Sequence, residues 1–96
     1  MSTFKIRPEE LHMIGQQIID ESIAFGQNVK RIYENIDEMT SKSYLSNEAI
    51  AIANKIKSNQ QNLINITRII ENYGIHCQKS AKLMVETQNS IIDGIR

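Results

Sequence analysis

Apolar side chains recur every seven residues along most of the chain, and this repeat limits the fold more than any other feature of the sequence. A seven-residue spacing places side chains on one stripe of an α-helix, whereas a half-buried strand alternates apolar and polar residues. No stretch alternates in that way for long enough to form a strand. The first stripe comprises Leu11, Ile18, Phe25, Ile32 and Met39, and the second comprises Ala49, Ile56, Leu63, Ile70, Cys77, Met84 and Ile91. The sequence therefore predicts an all-α protein.

The ends of two long helices follow from a few residues. Pro8, the only proline, suits a first helical turn, where its missing N–H would have no partner. Between the stripes, residues 40–47 are rich in Ser, Thr and Asn, which favour turns, and Ser46 or Asn47 can cap the second helix. The prediction is a single domain, 1–96, with a first helix at about 8–40, a turn at about 41–46 and one continuous second helix at about 47–93.

Charge and apolar width predict how these helices associate. Residues 1–40 carry four basic and seven acidic side chains, and residues 41–96 carry seven basic and four acidic ones. This asymmetry favours antiparallel helices, although an exposed ion pair contributes only about 0–1 kcal/mol. Further apolar residues lie beside the stripes, so one helix–helix seam cannot bury them all. We expect an antiparallel two-helix hairpin that dimerises into a four-helix bundle. The predicted helix seam and dimer contacts are Leu11, Ile18, Phe25, Ile32, Met39, Ile56, Leu63 and Ile70.

Small residues lie at or beside the stripes in both predicted helices. They are Gly15, Ser22 and Gly26 in the first helix and Gly74, Ser80 and Ala81 in the second. Two interpretations stay open at this point. The small residues either allow the helices to pack closely or leave a groove that another chain fills.

Several function classes are disfavoured by the sequence. A net charge of zero gives no basic footprint for nucleic acid, and the longest apolar runs fall far short of the roughly 20 residues that span a bilayer. The amino-terminal residues lack the apolar segment of a secretory signal peptide. His76 and Cys77 are adjacent and point about 100° apart on a helix, so they cannot ligate one metal. We expect no metal, cofactor or catalytic residue and no enzymatic activity.

The opening Ile6-Arg7-Pro8-Glu9-Glu10-Leu11, the length of about a hundred residues and the mid-chain turn together resemble the WXG family of ESAT-six-like proteins. Members of that family are small helical hairpins exported by the type VII (ESX) secretion pathway. The family's Trp-x-Gly turn motif falls here on Tyr44, Leu45 and Ser46. Its export motif, Tyr-x-x-x-Asp/Glu, falls on Met84 and Gln88, so both of its recognition residues are replaced.

The resemblance implies a protein of the type VII system that is exported or co-exported as a homodimer or heterodimer. It would be secreted by a route independent of a signal peptide, or be cytoplasmic before export. Two alternatives stay open: a targeting chaperone for the helical leader of a larger secreted toxin, and a generic cytoplasmic coiled-coil adaptor. The other expected partner is the secretion machinery.

The end of the second helix is the predicted partner-binding segment. Folding back from the turn places Leu11 level with about His76, so the second helix continues beyond the start of the first. Residues 80–96 then have no partner within the chain. Their predicted contact residues are Met84, Gln88, Ile91 and Ile92.

Overall fold

The computed structural model describes residues 6–42 and 46–95, and within these ranges it contains helices and no strand. The helices are α1 (Pro8–Lys42), α2 (Asn47–Ser58) and α3 (Gln60–Ile95). The all-α prediction is confirmed. Tyr44 and Leu45, the first two residues of the predicted turn motif, lie outside the described residues.

The predicted helix ends agree with the observed ones within about two residues, except at one point. α1 begins at Pro8, and Ser46 caps α2 with extended backbone angles (φ −65°, ψ 159°). The hydroxyl of Ser46 accepts a hydrogen bond from the amide of Ala49 at 3.2 Å. The negative φ of Ser46 is one that any L-residue adopts, so the backbone at this helix start does not require glycine.

The exception is Asn59, where the structure divides the predicted second helix into α2 and α3. The amide of Asn59 donates to the carbonyl of Ile56, three residues earlier, at 3.1 Å. In a regular α-helix it would donate to the carbonyl of Lys55, four residues earlier. The carbonyl of Lys55 is taken up by side chains: it accepts the Ser58 hydroxyl at 2.7 Å and the Asn59 amide group at 3.0 Å. Ser and Asn compete with the backbone for such carbonyls. The prediction of an uninterrupted helix through residues 59–62 was therefore wrong at this bend.

α1 lies alongside α2 and α3 in the opposite chain direction, and we call this arrangement the helical pair. Near its start, α1 meets α3 where Gly15 faces Gly74, and further along Gly26 faces Thr67. Near its end, the hydroxyl of Tyr33 donates to the carbonyl of Ile56 in α2 at 2.6 Å. The molecule measures 76 × 27 × 16 Å. Its smallest dimension, 16 Å, corresponds to a single layer of helices.

The seam of the helical pair contains mainly small residues. Ser22 is 1% exposed and Ala81 is 3% exposed, and Val29, Tyr33, Ala53 and Cys77 are also buried. A Cβ atom on Gly15 would lie 2.7 Å from the carbonyl oxygen of Gly74, so the two backbones touch at that point. Of the two interpretations of the small residues, the structure supports close helix packing.

The seam therefore differs from the predicted one. Leu11, Ile18 and Leu63 are half-buried beside it, but five other predicted seam residues are exposed to solvent. Close contact between backbones brings the glycine-containing row inward and leaves the adjacent bulky row on the flank. The exposed residues are Phe25, Ile32, Met39, Ile56 and Ile70. Within the helical pair these side chains are 37–59% exposed, so they border the seam and do not fill its interior, and their role as dimer contacts stays a prediction.

Candidate interaction surface

The displaced bulky row forms a continuous surface along one side of the helical pair. A rotation of about 100° per residue places Phe25, Ile32 and Met39 to one side of the buried row that contains Ser22 and Val29. The same rotation places Ile66, Tyr73 and Ile91 to one side of the row that contains Gly74 and Ala81. Because α1 and α3 run in opposite directions, these two sides meet on the same surface. We call it the apolar face: Ile14, Phe25, Ile32, Met39, Ile52, Ile56, Ile66, Ile70, Tyr73 and Ile91, all exposed.

A groove near the described ends of α1 and α2 supports this assignment. It has a volume of about 240 Å³ and is lined by side chains of both helices. Met39 of α1 and Ile52 and Ile56 of α2 share it, so the bulky rows of the two helices do open onto one surface. The groove gives the apolar face a recess into which a side chain of another helix can insert.

Two polar contacts that join side chains of the two halves lie on the opposite surface, which we call the polar face. The side-chain amide of Gln78 donates to the side-chain oxygen of Gln16 at 3.0 Å. Lys57 forms an ion pair with Asp37 at 2.8 Å. Asp37 and Lys57 each follow by one residue an isoleucine that lines the groove, so a rotation of about 100° turns them away from the apolar face.

Charged residues are almost absent from the apolar face. Among the described residues, helical rotation places Glu21 on this face between Ile14 and Phe25, and Glu10 at its edge. The other charged side chains lie toward the polar face or the back of each helix. Contiguous apolar patches larger than a few hundred Å² are uncommon on soluble monomers and mark interaction sites. The apolar face therefore has the chemistry of an uncovered helix–helix interface.

The predicted carboxyl-terminal contact residues are only partly free of the helical pair. Ala81 is buried level with the start of α1, and Met84 is half-buried. Gln88 and Ile91 are exposed, and the side chain of Ile92 lies outside the described residues. The segment without a partner in the described chain thus begins near residue 85, later than the predicted residue 80.

A second recess lies on the polar face, where α1 begins and α3 continues beyond it. Its volume is about 1050 Å³, and we call it the basic groove. Pro8, Ile75, Ala81 and Val85 contribute its apolar surface, and Arg7, Lys79 and Lys82 contribute positive charge. Sequence reasoning missed it, because the groove joins residues about seventy positions apart; the closely spaced Lys79 and Lys82 were the one available signal.

Side chains that commonly bind metals are not clustered in the described part of the chain. Within residues 6–42 and 46–95, no group of three or more His, Cys, Asp or Glu side chains is arranged to hold a metal ion. Cys77 is a buried free thiol in the seam. In the same ranges, no helix combines the length and the apolar character needed to cross a membrane.

Comparison with protein-family models, curated proteins and solved structures found no match to this chain. The resemblance to the WXG family therefore stays a prediction that rests on the opening motif, the length and the two-helix pattern.

Proposed function

We propose that this protein is a helical hairpin that acts by associating with another helical hairpin, forming a four-helix bundle through the apolar face. The observation that carries the proposal is the uncovered, nearly charge-free face along a molecule one helix thick. Most domains bury apolar surface between two layers of secondary structure. A second hairpin placed on this face supplies the missing layer, and helices with seven-residue repeats pack in such bundles at about 20°.

A single exposed residue provides a sharp test of this association. Ile32 is 53% exposed within the helical pair, so Ile32→Asp leaves the chain able to fold but places an unpaired carboxylate in the proposed interface. We expect the wild type to be at least dimeric at micromolar concentration in size exclusion with light scattering. Ile32→Asp should elute as a monomer with unchanged helicity.

Ile23→Asp is the matched control for this test. Ile23 is 46% exposed, lies on α1 and is rotated toward the polar face. This variant introduces the same charge and should assemble like the wild type. A monomeric, helical and cooperatively unfolding wild type would contradict the proposal, as would equal loss of assembly in both variants.

We further propose that this association serves type VII secretion, with the protein exported or co-exported as a dimer and acting by binding rather than by catalysis. The support is the WXG-like opening together with the apolar face. Export is tested by comparing culture supernatants of strains with and without the type VII ATPase. If both strains retain the protein equally in the cell, the proposal of type VII export is contradicted.

The targeting-chaperone alternative is favoured by one observation: Met84 and Gln88 stand where the WXG family has its export motif. A chain without that motif depends on a partner that carries it. Co-expression with a toxin that bears a helical leader separates the two functions, because a chaperone is retained or released together with that toxin.

A further inference from the structure

The basic groove combines apolar walls with a local excess of positive charge. The side chains that line it include three basic residues and one acidic residue, Glu9, although the whole chain has a net charge of zero. Arg7 is engaged by Glu10 at 3.1 Å. Among the described residues, neither Lys79 nor Lys82 forms an ion pair. Two cations at the groove thus form no ion pair in the described chain, and Glu9 is the single acidic side chain that lines the groove with them.

The groove continues into a space that no described helix fills. Because Gly15 faces Gly74 and the helices run in opposite directions, Pro8 lies level with Ala81. α3 extends to Ile95, which is 14 residues further and at 1.5 Å per residue about 21 Å. Within residues 6–42 and 46–95, no residue occupies the position beside this part of α3 in line with α1. Its length and its apolar wall at Val85 fit four turns of another helix.

We propose that the basic groove binds an amphipathic helix of another protein, with its apolar side against Val85 and its acidic flank against Lys79 and Lys82. This site is on the polar face, so it goes beyond the dimer of the proposed function and is compatible with it. The protein then connects two partners, one on each face.

The test uses two helical peptides as probes with the full-length protein. Each has roughly 18 residues, enough to fill the open length of α3, and is stapled to hold a helix with leucines on one side. One carries glutamates on both flanks and the other carries lysines at the same positions. By fluorescence anisotropy we expect saturable binding of the glutamate peptide, with the lysine peptide about tenfold weaker.

Variants of exposed residues assign this preference to the groove. Lys79→Glu with Lys82→Glu should reverse the order of the two peptides, and Val85→Ser, at a residue that is 43% exposed, should weaken the glutamate peptide. Lys55→Glu with Arg68→Glu makes the same change of charge on exposed positions away from the groove and should leave the order unchanged. No saturable binding of the glutamate peptide, equal binding of both peptides, or an unchanged order after the Lys79 and Lys82 substitutions overturns the proposal.

Ile32→Asp separates this inference from the proposed function. It disrupts the apolar face only, so it should bind the glutamate peptide as the wild type does. If Ile32→Asp still self-associates, and the added Lys79 and Lys82 substitutions abolish that association, then the groove holds a second copy of this chain. That result overturns the proposal of a foreign acidic helix.

Discussion

The contact between Gly15 and Gly74 decides how closely the two halves of the chain approach. A side chain at either position meets backbone as well as side chains: a Cβ atom on Gly74 would lie 2.8 Å from the carbonyl oxygen of Gly15. Backbone atoms cannot rotate away as the end of a flexible side chain can. The glycines are therefore needed for packing, although glycine in a helix costs about 1 kcal/mol relative to alanine.

Gly15→Ala should destabilise the protein for this reason. The gain in helix propensity is about 1 kcal/mol, but separating the helices in a packed seam costs about 1–3 kcal/mol and loosens neighbouring contacts. We expect a net loss of about 1 kcal/mol in the free energy of unfolding, measured by urea denaturation at fixed protein concentration.

Gly94→Ala is the control for this substitution. A Cβ atom there has no neighbour within 4 Å, so the change should be neutral or slightly stabilising. If Gly15→Ala were as stable as Gly94→Ala, the close contact at Gly15 would not govern the packing of the pair.

At the scale of the elements, the bend at Asn59 lies where α2 ends against α1. The carbonyl oxygen of Ile56 accepts hydrogen bonds from both the Tyr33 hydroxyl and the backbone amide of Asn59. These bonds connect the last turn of α2 to α1 and to the bend. The side chains of Ser58 and Asn59 both donate hydrogen bonds to the Lys55 carbonyl. In a continuous helix, that carbonyl would accept from the backbone amide of residue 59. Side-chain competition therefore accounts for the interruption.

Replacing both Ser58 and Asn59 by alanine should restore the continuous helix. Alanine offers no competing group and has the highest helix propensity. A hydrogen-bond scalar coupling in the NMR spectrum should then connect the amide nitrogen of residue 59 to the carbonyl carbon of Lys55. Asn62→Ala, on the exposed surface of α3, is the control and should keep the hydrogen bond from the Asn59 backbone amide to the Ile56 carbonyl. A bend that persists in the double variant would assign it to packing against α1 instead.

At the scale of the whole molecule, most charged side chains lie away from the apolar face of a layer 16 Å thick, while exposed apolar side chains such as Ile23 and Val85 also occur on the polar face. Such a layer has a narrow interior, and the residues that are buried in it are mostly small. Much of the apolar surface of the chain is therefore still exposed to water. Covering the apolar face with a second hairpin would bury it, and the stability of the fold would then depend on association.

The melting temperature should accordingly rise with protein concentration. A partner that binds only the folded chain stabilises it by mass action, so a more concentrated dimer unfolds at a higher temperature. Ile32→Asp should melt at a lower temperature that does not change with concentration, and Ile23→Asp should behave as the wild type. Calorimetry over a hundredfold range of concentration checks this, and a wild-type melting temperature independent of concentration would contradict it.

Local sequence determined the helices, since their periodicity, Pro8 and Ser46 each act within a turn or two of the chain. It also determined that apolar surface exceeds what one seam can cover. It did not determine the bend at Asn59, because the balance between side-chain and backbone hydrogen bonds there is close. Local sequence also did not predict which residues form the basic groove, because they come from near both ends of the chain.

The tertiary structure decided which row of residues faces inward. Hydrophobicity alone favours the bulky row of Phe25 and Ile32, because it buries the most apolar area. The row of Gly15 and Ser22 lies inward instead, because Gly74 and Ala81 stand opposite and two small surfaces let backbones touch. That choice depends on the shape of both helices together and not on the pattern within either. The same choice leaves the apolar face open.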